Sequence, residues 1–344
     1  MSRHTRILLP LLLALPFAVR AEFFGGVSPE MQGYHLRLSL GSVLWMDGSV
    51  KETFRAYYKA SGQDSKQSLA ESYDLDDFGI KTPFKTLGFY FERQWPYGAL
   101  RWNTTYLSVS ANSTAKRDYY LGIGDEIRYK GHKYDHMKIP RGRKFEVDFT
   151  GLMMDLTYGF TPVTFLYGDG DTKFTPSLDL GLVLIGGWYD IDAGPSTGTT
   201  VYQNPPVDFV VGGSSDSFIG AGAPMVGFGG ELRLGPEDWI QWVFRANLGY
   251  FSYSGSTKPF TSSGHRAKDI DLDYFSLAFD ASVLLPMTEK TCLELGARLQ
   301  YADLSAEIKS KEKDTAAVVA ARERFDKKAD FDAVSVLFYA GISF

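Results

Sequence analysis

The chain has 344 residues, among them 35 glycines, 20 tyrosines and 25 phenylalanines, and a formal net charge of −5. That acidic balance argues against nucleic acid as the main partner, and a single cysteine, Cys292, leaves no intramolecular disulfide to form. Beyond residue 21 nothing approaches twenty consecutive apolar residues, so no helix is expected to span a membrane.

Residues 1–21 read MSRHTRILLPLLLALPFAVRA. Arg3 and Arg6 precede an apolar run from Ile7 to Val19, and small Ala21 stands before Glu22. A basic start, a short apolar stretch and a small residue at the cut describe a cleaved secretory signal peptide. The mature chain is expected to start at Glu22, where 33 Lys and Arg against 41 acids leave −8. Residues 22–33 read as a short periplasmic segment, and residues 34–344 as one domain.

From Tyr34 onward the pattern has period two, the signature of strands. Leu36, Leu38 and Leu40 oppose His35, Arg37 and Ser39. Leu178, Leu180, Leu182 and Leu184 oppose Ser177, Asp179 and Gly181. Alternation recurs over 239–253, 275–285, 293–301 and 331–344, more weakly over 84–95, 99–112, 145–158 and 217–234. About ten strands result, with eight or twelve as alternatives, most of them long enough to cross a bilayer, for which roughly 9–11 residues suffice. The polar face carries Arg37, Asp179, Arg245, Asp280, Glu294 and Arg298. A soluble sandwich would turn those charges to water, whereas a membrane barrel would turn them to its lumen.

The connections alternate long and short. Residues 47–83, 113–144, 192–216, 255–270 and 304–330 are long, while Pro96-Tyr97-Gly98, 235–238 and 286–290 are tight. Short periplasmic turns and long extracellular loops give this rhythm in outer-membrane barrels. Trp95, Trp102, Trp239 and Trp242 sit beside tight turns, and Trp45 and Trp188 beside long loops, as two interfacial girdles require. The reading is an all-β fold, a transmembrane antiparallel up-and-down β-barrel.

The chain ends FDAVSVLFYAGISF, with Val336, Phe338, Ala340, Ile342 and terminal Phe344 on one face. In this it resembles the Gram-negative outer-membrane β-barrel proteins. The resemblance implies location in the outer membrane, contact with its lipid and lipopolysaccharide, and recognition of that C-terminal pattern by the barrel-assembly machinery.

Ten strands leave little room inside, so the charged lumen is expected to be filled by its own side chains. Two functions follow: a structural or surface-interaction barrel displaying large extracellular loops, or a narrow porin-like channel for small polar solutes. The loop segment RYKGHKYDHMKIPRGRK is rich in cations, and Arg128, Lys130, Lys133, Arg141 and Arg143 are candidates for contacting anionic groups. It reads as a hairpin turning at Lys130-Gly131. His132 and His136 would then stand roughly 13 Å apart along a strand, too far for one metal ion. No metal site or cofactor is expected, and no catalytic set emerges, so the chain is read as not an enzyme. Asp314-Thr315 is expected to cap a short helix running through Ala321 and Arg324.

Overall fold

The computed structural model describes residues 19–23, 33–60, 63–167, 171–196, 199–201, 208–236, 239–257, 268–288, 290–310 and 322–344. Ten long antiparallel strands form a ring. They are β1 (Tyr34–Ala60), β2 (Phe84–Trp95), β3 (Gly98–Thr114), β4 (Lys144–Phe160) and β5 (Thr172–Asp192), then β6 (Ser214–Leu234), β7 (Gln241–Thr257), β8 (Lys268–Thr288), β9 (Thr291–Ser310) and β10 (Arg322–Ser343). Each pairs with the next in sequence, and β10 returns to β1 in a register from Arg322↔Tyr57 to Ser343↔His35. Phe344 seals the closure. Its backbone exchanges hydrogen bonds of 2.7 and 3.0 Å with Tyr34, and the two rings stack at 5.7 Å.

Burial runs opposite to that of a soluble domain. Leu38 is 70% exposed and Phe338 65%, whereas Arg37 is 4% and Glu294 1% exposed. The leucine faces of β1 and β5 and the aromatic face of β10 therefore point outward, as an apolar solvent around the barrel demands. On β5 the outward row runs from Phe174 through Leu178, Leu180, Leu182 and Leu184 to Trp188. At about 3.3 Å per residue and a tilt of about 40°, that row spans roughly 35 Å of axis, an apolar band with its girdles. Above it the surface turns acidic, where Asp303, Asp332 and Asp47 stand side by side in register. Of the girdle residues, Trp45, Trp102, Trp188, Trp239 and Trp242 are exposed and Trp95 is half-buried. The C-terminal row lies outward on β10, with Phe338, Ala340 and Ile342 exposed.

Tight turns join the strands at one end of the barrel. Between β4 and β5 a short strand, Val163–Tyr167, folds onto Thr172–Phe174 and pairs along its length with Val19–Phe23. That last strand straddles the expected cleavage between Ala21 and Glu22.

At the opposite end the strands overrun the expected loops. β1 continues to Ala60 and pairs with the strand Gln63–Asp74, β7 reaches Thr257, and β9 reaches Ser310. The expected helix through Ala321 and Arg324 is corrected on its C-terminal side, since the chain is strand from Arg322 onward. Residues 311–321 lie outside the described residues. Strands Tyr119–Tyr129 and His132–Ile139 form a hairpin. Its two-residue turn has positive φ at both Lys130 (48°) and Gly131 (83°), the primed geometry that suits hairpin twist. Asp208–Val211 adds to it in parallel and Thr199–Val201 follows, completing a small second sheet.

Candidate functional site

The interior is built in layers. Nearest the tight turns is a layer of charge. Glu294 on β9 accepts from Arg37 Nε of β1 (2.8 Å), Arg245 Nη1 of β7 (2.9 Å) and Ser282 Oγ of β8 (2.8 Å). Arg245 Nε also donates to Glu231 of β6 at 2.6 Å, and Arg233 donates to the same carboxylate. Across the ring Arg101 of β3 bridges Asp179 of β5 (2.8 Å) and Glu92 of β2 (3.1 Å). The Arg37 guanidinium lies between the rings of Tyr90 (4.4 Å) and Tyr339 (5.0 Å). Charges held in this way, each with several partners, avoid the large cost of isolated burial.

The structure thus brings Arg37, Asp179, Arg245 and Glu294 into ion pairs. Asp280 and Arg298 are register partners and border the same cavity. Sequence reading passed over Glu92, Arg101, Asp155, Glu231 and Arg233. All five fall on the polar face of the weakly alternating strands β2, β3, β4 and β6, so a strict count of period two would have found them. Among the described residues the interior holds five arginines (37, 101, 233, 245, 298) and six carboxylates (92, 155, 179, 231, 280, 294). Near-balance lets the layer neutralise itself without an outside ion.

A cavity of about 80 Å³ threads the charged layer, bordered by Arg101, Asp179, Glu231, Arg245, Asp280 and Arg298, and reaches Thr161 and Thr175 toward the tight turns and Met225 and Tyr274 at its other end. Arg37 Nη2, Arg245 Nη2, Arg298 Nε and Asp280 Oδ1 are buried there without a protein hydrogen bond. Such a polar space is large enough for several waters to serve those atoms.

The next layer is apolar and crosses the lumen. Val183 of β5, Phe251 of β7 and Leu272 and Tyr274 of β8 are buried together, packed by Met153, Ile185, Met225 and Leu304. The Tyr274 hydroxyl reaches Met153 Sδ on β4 at 3.6 Å. Beyond it a larger cluster joins inward residues of β1–β5 (Val43, Phe84, Ala111, Phe145, Val147, Ile191) to the hairpin's Tyr119, Leu121, Tyr134, Met137 and Ile139. The hairpin is therefore a folded lobe on the barrel, sharing one apolar core with the inward faces of β1–β5.

The basic segment divides accordingly. Lys130 and Arg141 are exposed. Arg143 is committed to structure, donating to the carbonyls of Ala193 and Pro195 (2.7 Å for the latter). The side chains of Arg128, Lys133, His132, Asp135 and His136 lie outside the described residues. Lys138 pairs with Asp118 at 2.7 Å, and the Arg141 amide donates to the same carboxylate at 2.9 Å. The hydrogen bond from Lys138 holds Asp118 below an aspartate's ordinary 3.8 and raises the lysine. A depressed carboxylate stabilises above its unfolded pKa and ceases to do so as pH falls through the folded one. We therefore expect Asp118→Asn at neutral pH to speed amide exchange at Arg141. In the native chain the same acceleration should appear only as pH falls below the aspartate range.

No protein-family model matches the chain, and no curated protein matches it. Among solved structures, it is similar to the outer membrane protease OmpT of Escherichia coli (11% identity over 91% of this chain and 96% of that one, TM-score 0.39). It is also similar to the β domain of the Bordetella autotransporter BrkA (12% identity, 91% and 99% covered, TM-score 0.26). A FadL homologue of Pseudomonas aeruginosa matches as well (9% identity, 91% and 90% covered, TM-score 0.21). Likenesses this remote carry no activity to this chain.

Proposed function

We propose that the chain is an outer-membrane barrel of a Gram-negative bacterium, closed inside, which acts through the lobe and loops at its long-loop end and catalyses nothing. One observation carries this reading: a charged layer of nearly balanced ion pairs and an apolar layer both cross the lumen, and the cavity that threads the charged layer measures about 80 Å³. An open channel needs a continuous wet path, and a barrel that is shut yet keeps an ordered outer lobe has its accessible chemistry at the surface. Lipid and lipopolysaccharide are the expected first partners, with Lys130 and Arg141 offering exposed cations to phosphate.

Planar-bilayer recordings of the refolded protein test it, with folding checked by a heat-dependent shift on a gel. Silence together with the shift is expected; steady single-channel steps would instead establish the narrow channel for small polar solutes. The membrane placement has its own test at Leu180, which is 54% exposed at the middle of the β5 row. Leu180→Arg should destabilise the barrel in lipid vesicles by about 2–4 kcal/mol, the cost of a cation at the bilayer midplane. An unchanged urea midpoint would put that face in water.

A further inference from the structure

The wall is incomplete between β6 and β7. Their ladder runs from Leu234↔Trp242 to Val226↔Tyr250 and ends there, although β6 continues to Ser214 and β7 to Thr257. Above that point β6 stays paired with β5 as far as Ser214↔Asp192, and β7 with β8 as far as Thr257↔Lys268. A seam seven residues deep on β7 therefore parts the two strands at the long-loop end. Its base belongs to the cavity wall, since Met225 and Gly227 of β6 and Leu248 and Gly249 of β7 border that space. Leu248 is 37% exposed on the lipid-facing side as well. A Cβ added at Gly249 would lie 2.7 Å from Met225 Sδ, so the thioether rests directly over that backbone. Methionine adapts its shape readily.

The surfaces on either side of the seam match in chemistry. Outside, Val226, Phe228, Leu248 and Tyr250 continue the apolar belt. Inside, Phe251, Leu272, Tyr274 and Val183 form the apolar layer. The seam starts within the apolar belt, and farther up its β7 lip turns polar, where Ser252 and Ser254 stand exposed beside Asp273 and Asp271 of β8. A polar rim with an apolar floor suits an amphiphile whose head stays at the rim.

We propose that this seam is a lateral port, in which a hydrocarbon chain from the surrounding outer leaflet passes Met225 and lies against the inner apolar layer. The occupant is argued from continuity, because at the end of the ladder the exposed Val226 and Tyr250 adjoin the inward Met225 and Phe251 in sequence, so that the outer belt and the inner apolar layer meet at the seam. The proposal rests on the membrane reading above.

The test uses the full mature chain in phosphatidylcholine vesicles carrying a trace of lipid with a diazirine on its acyl chain, with labelled residues mapped by mass spectrometry. Label is expected on outward Phe228, Leu248 and Phe279 and also on inward Met225, Phe251 and Leu272. Label on the outward set alone would overturn the port and leave the membrane reading standing; no label on either set would remove both. A second variant closes the seam. If the ladder continued, Gly222 would face Ser254, so Gly222→Cys with Ser254→Cys in a Cys292→Ser background places a disulfide across it. Oxidation should abolish inward labelling while sparing outward labelling, and reduction should restore it. Inward labelling that persists in the oxidised protein would show another route and overturn the assignment.

Discussion

Replacing Glu294 by glutamine is expected to destabilise the barrel by about 3–5 kcal/mol, the usual cost of stranding a buried charge. Glu294 is 1% exposed and receives Arg37, Arg245 and Ser282, so it is the carboxylate that ties β1, β7 and β8 to β9. Glutamine keeps the shape but leaves two guanidinium groups facing a neutral acceptor and an amide donor. Arg245 retains Glu231 at 2.6 Å; Arg37 keeps only its two tyrosine rings. Arg37→Met combined with Glu294→Gln should therefore cost less than the two single changes added together, by about 0.5–3 kcal/mol of coupling. Urea unfolding in lipid vesicles, followed by tryptophan fluorescence, measures both quantities. A loss under about 1 kcal/mol, the range of solvent-screened pairs, would mean that water reaches this layer and that it does not seal the lumen.

Much of the architecture was legible because lipid is a demanding solvent. Leu36, Leu38 and Leu40 on β1 and the leucine row of β5 advertise their face in every second letter, and all ten strands emerged from such counting. The weaker strands carry hydroxyls and glycine outward: Thr104 and Ser108 on β3, Gly222 and Gly230 on β6. Their inward charges were accordingly passed over, although they complete the network. Which charges meet was never in the local pattern, since Arg37 and Glu294 are 257 residues apart and only ring closure brings them to 2.8 Å. The apolar layer was hidden for another reason. Val183, Phe251 and Leu272 sit on the face already labelled polar, so along a single strand they look like breaks in the alternation. The parting of β6 from β7 leaves no mark in composition at all, for it depends on which ladder each strand keeps.

Opening the lumen is expected to require two lesions. The charged layer and the apolar layers lie in series along one axis, and a path in series conducts only as well as its narrowest part. Arg37→Ser with Arg245→Ser and Glu294→Ser removes three large interior side chains together with their contacts to β2, β6, β8 and β10 and keeps the net charge change to one unit. On its own this triple variant should stay electrically silent, because Tyr274 still reaches Met153 and the hairpin core still covers the inward faces of β1–β5. Replacing residues 119–139 by a short Gly-Ser linker removes Tyr119, Leu121, Tyr134, Met137 and Ile139, and should also leave the barrel silent by itself while the charged layer stands. Joined with Tyr274→Ala, the two changes should produce steady single-channel steps in a planar bilayer. Heat-shifted migration in every variant is the control that the barrel has formed. If the triple variant conducts alone, the apolar layer is no barrier and ions bypass it, with the unpaired stretch between β6 and β7 as the nearest route. If the combined variant stays silent although folded, the closure lies in residues other than these, and the charged layer serves to hold strands together rather than to exclude solutes.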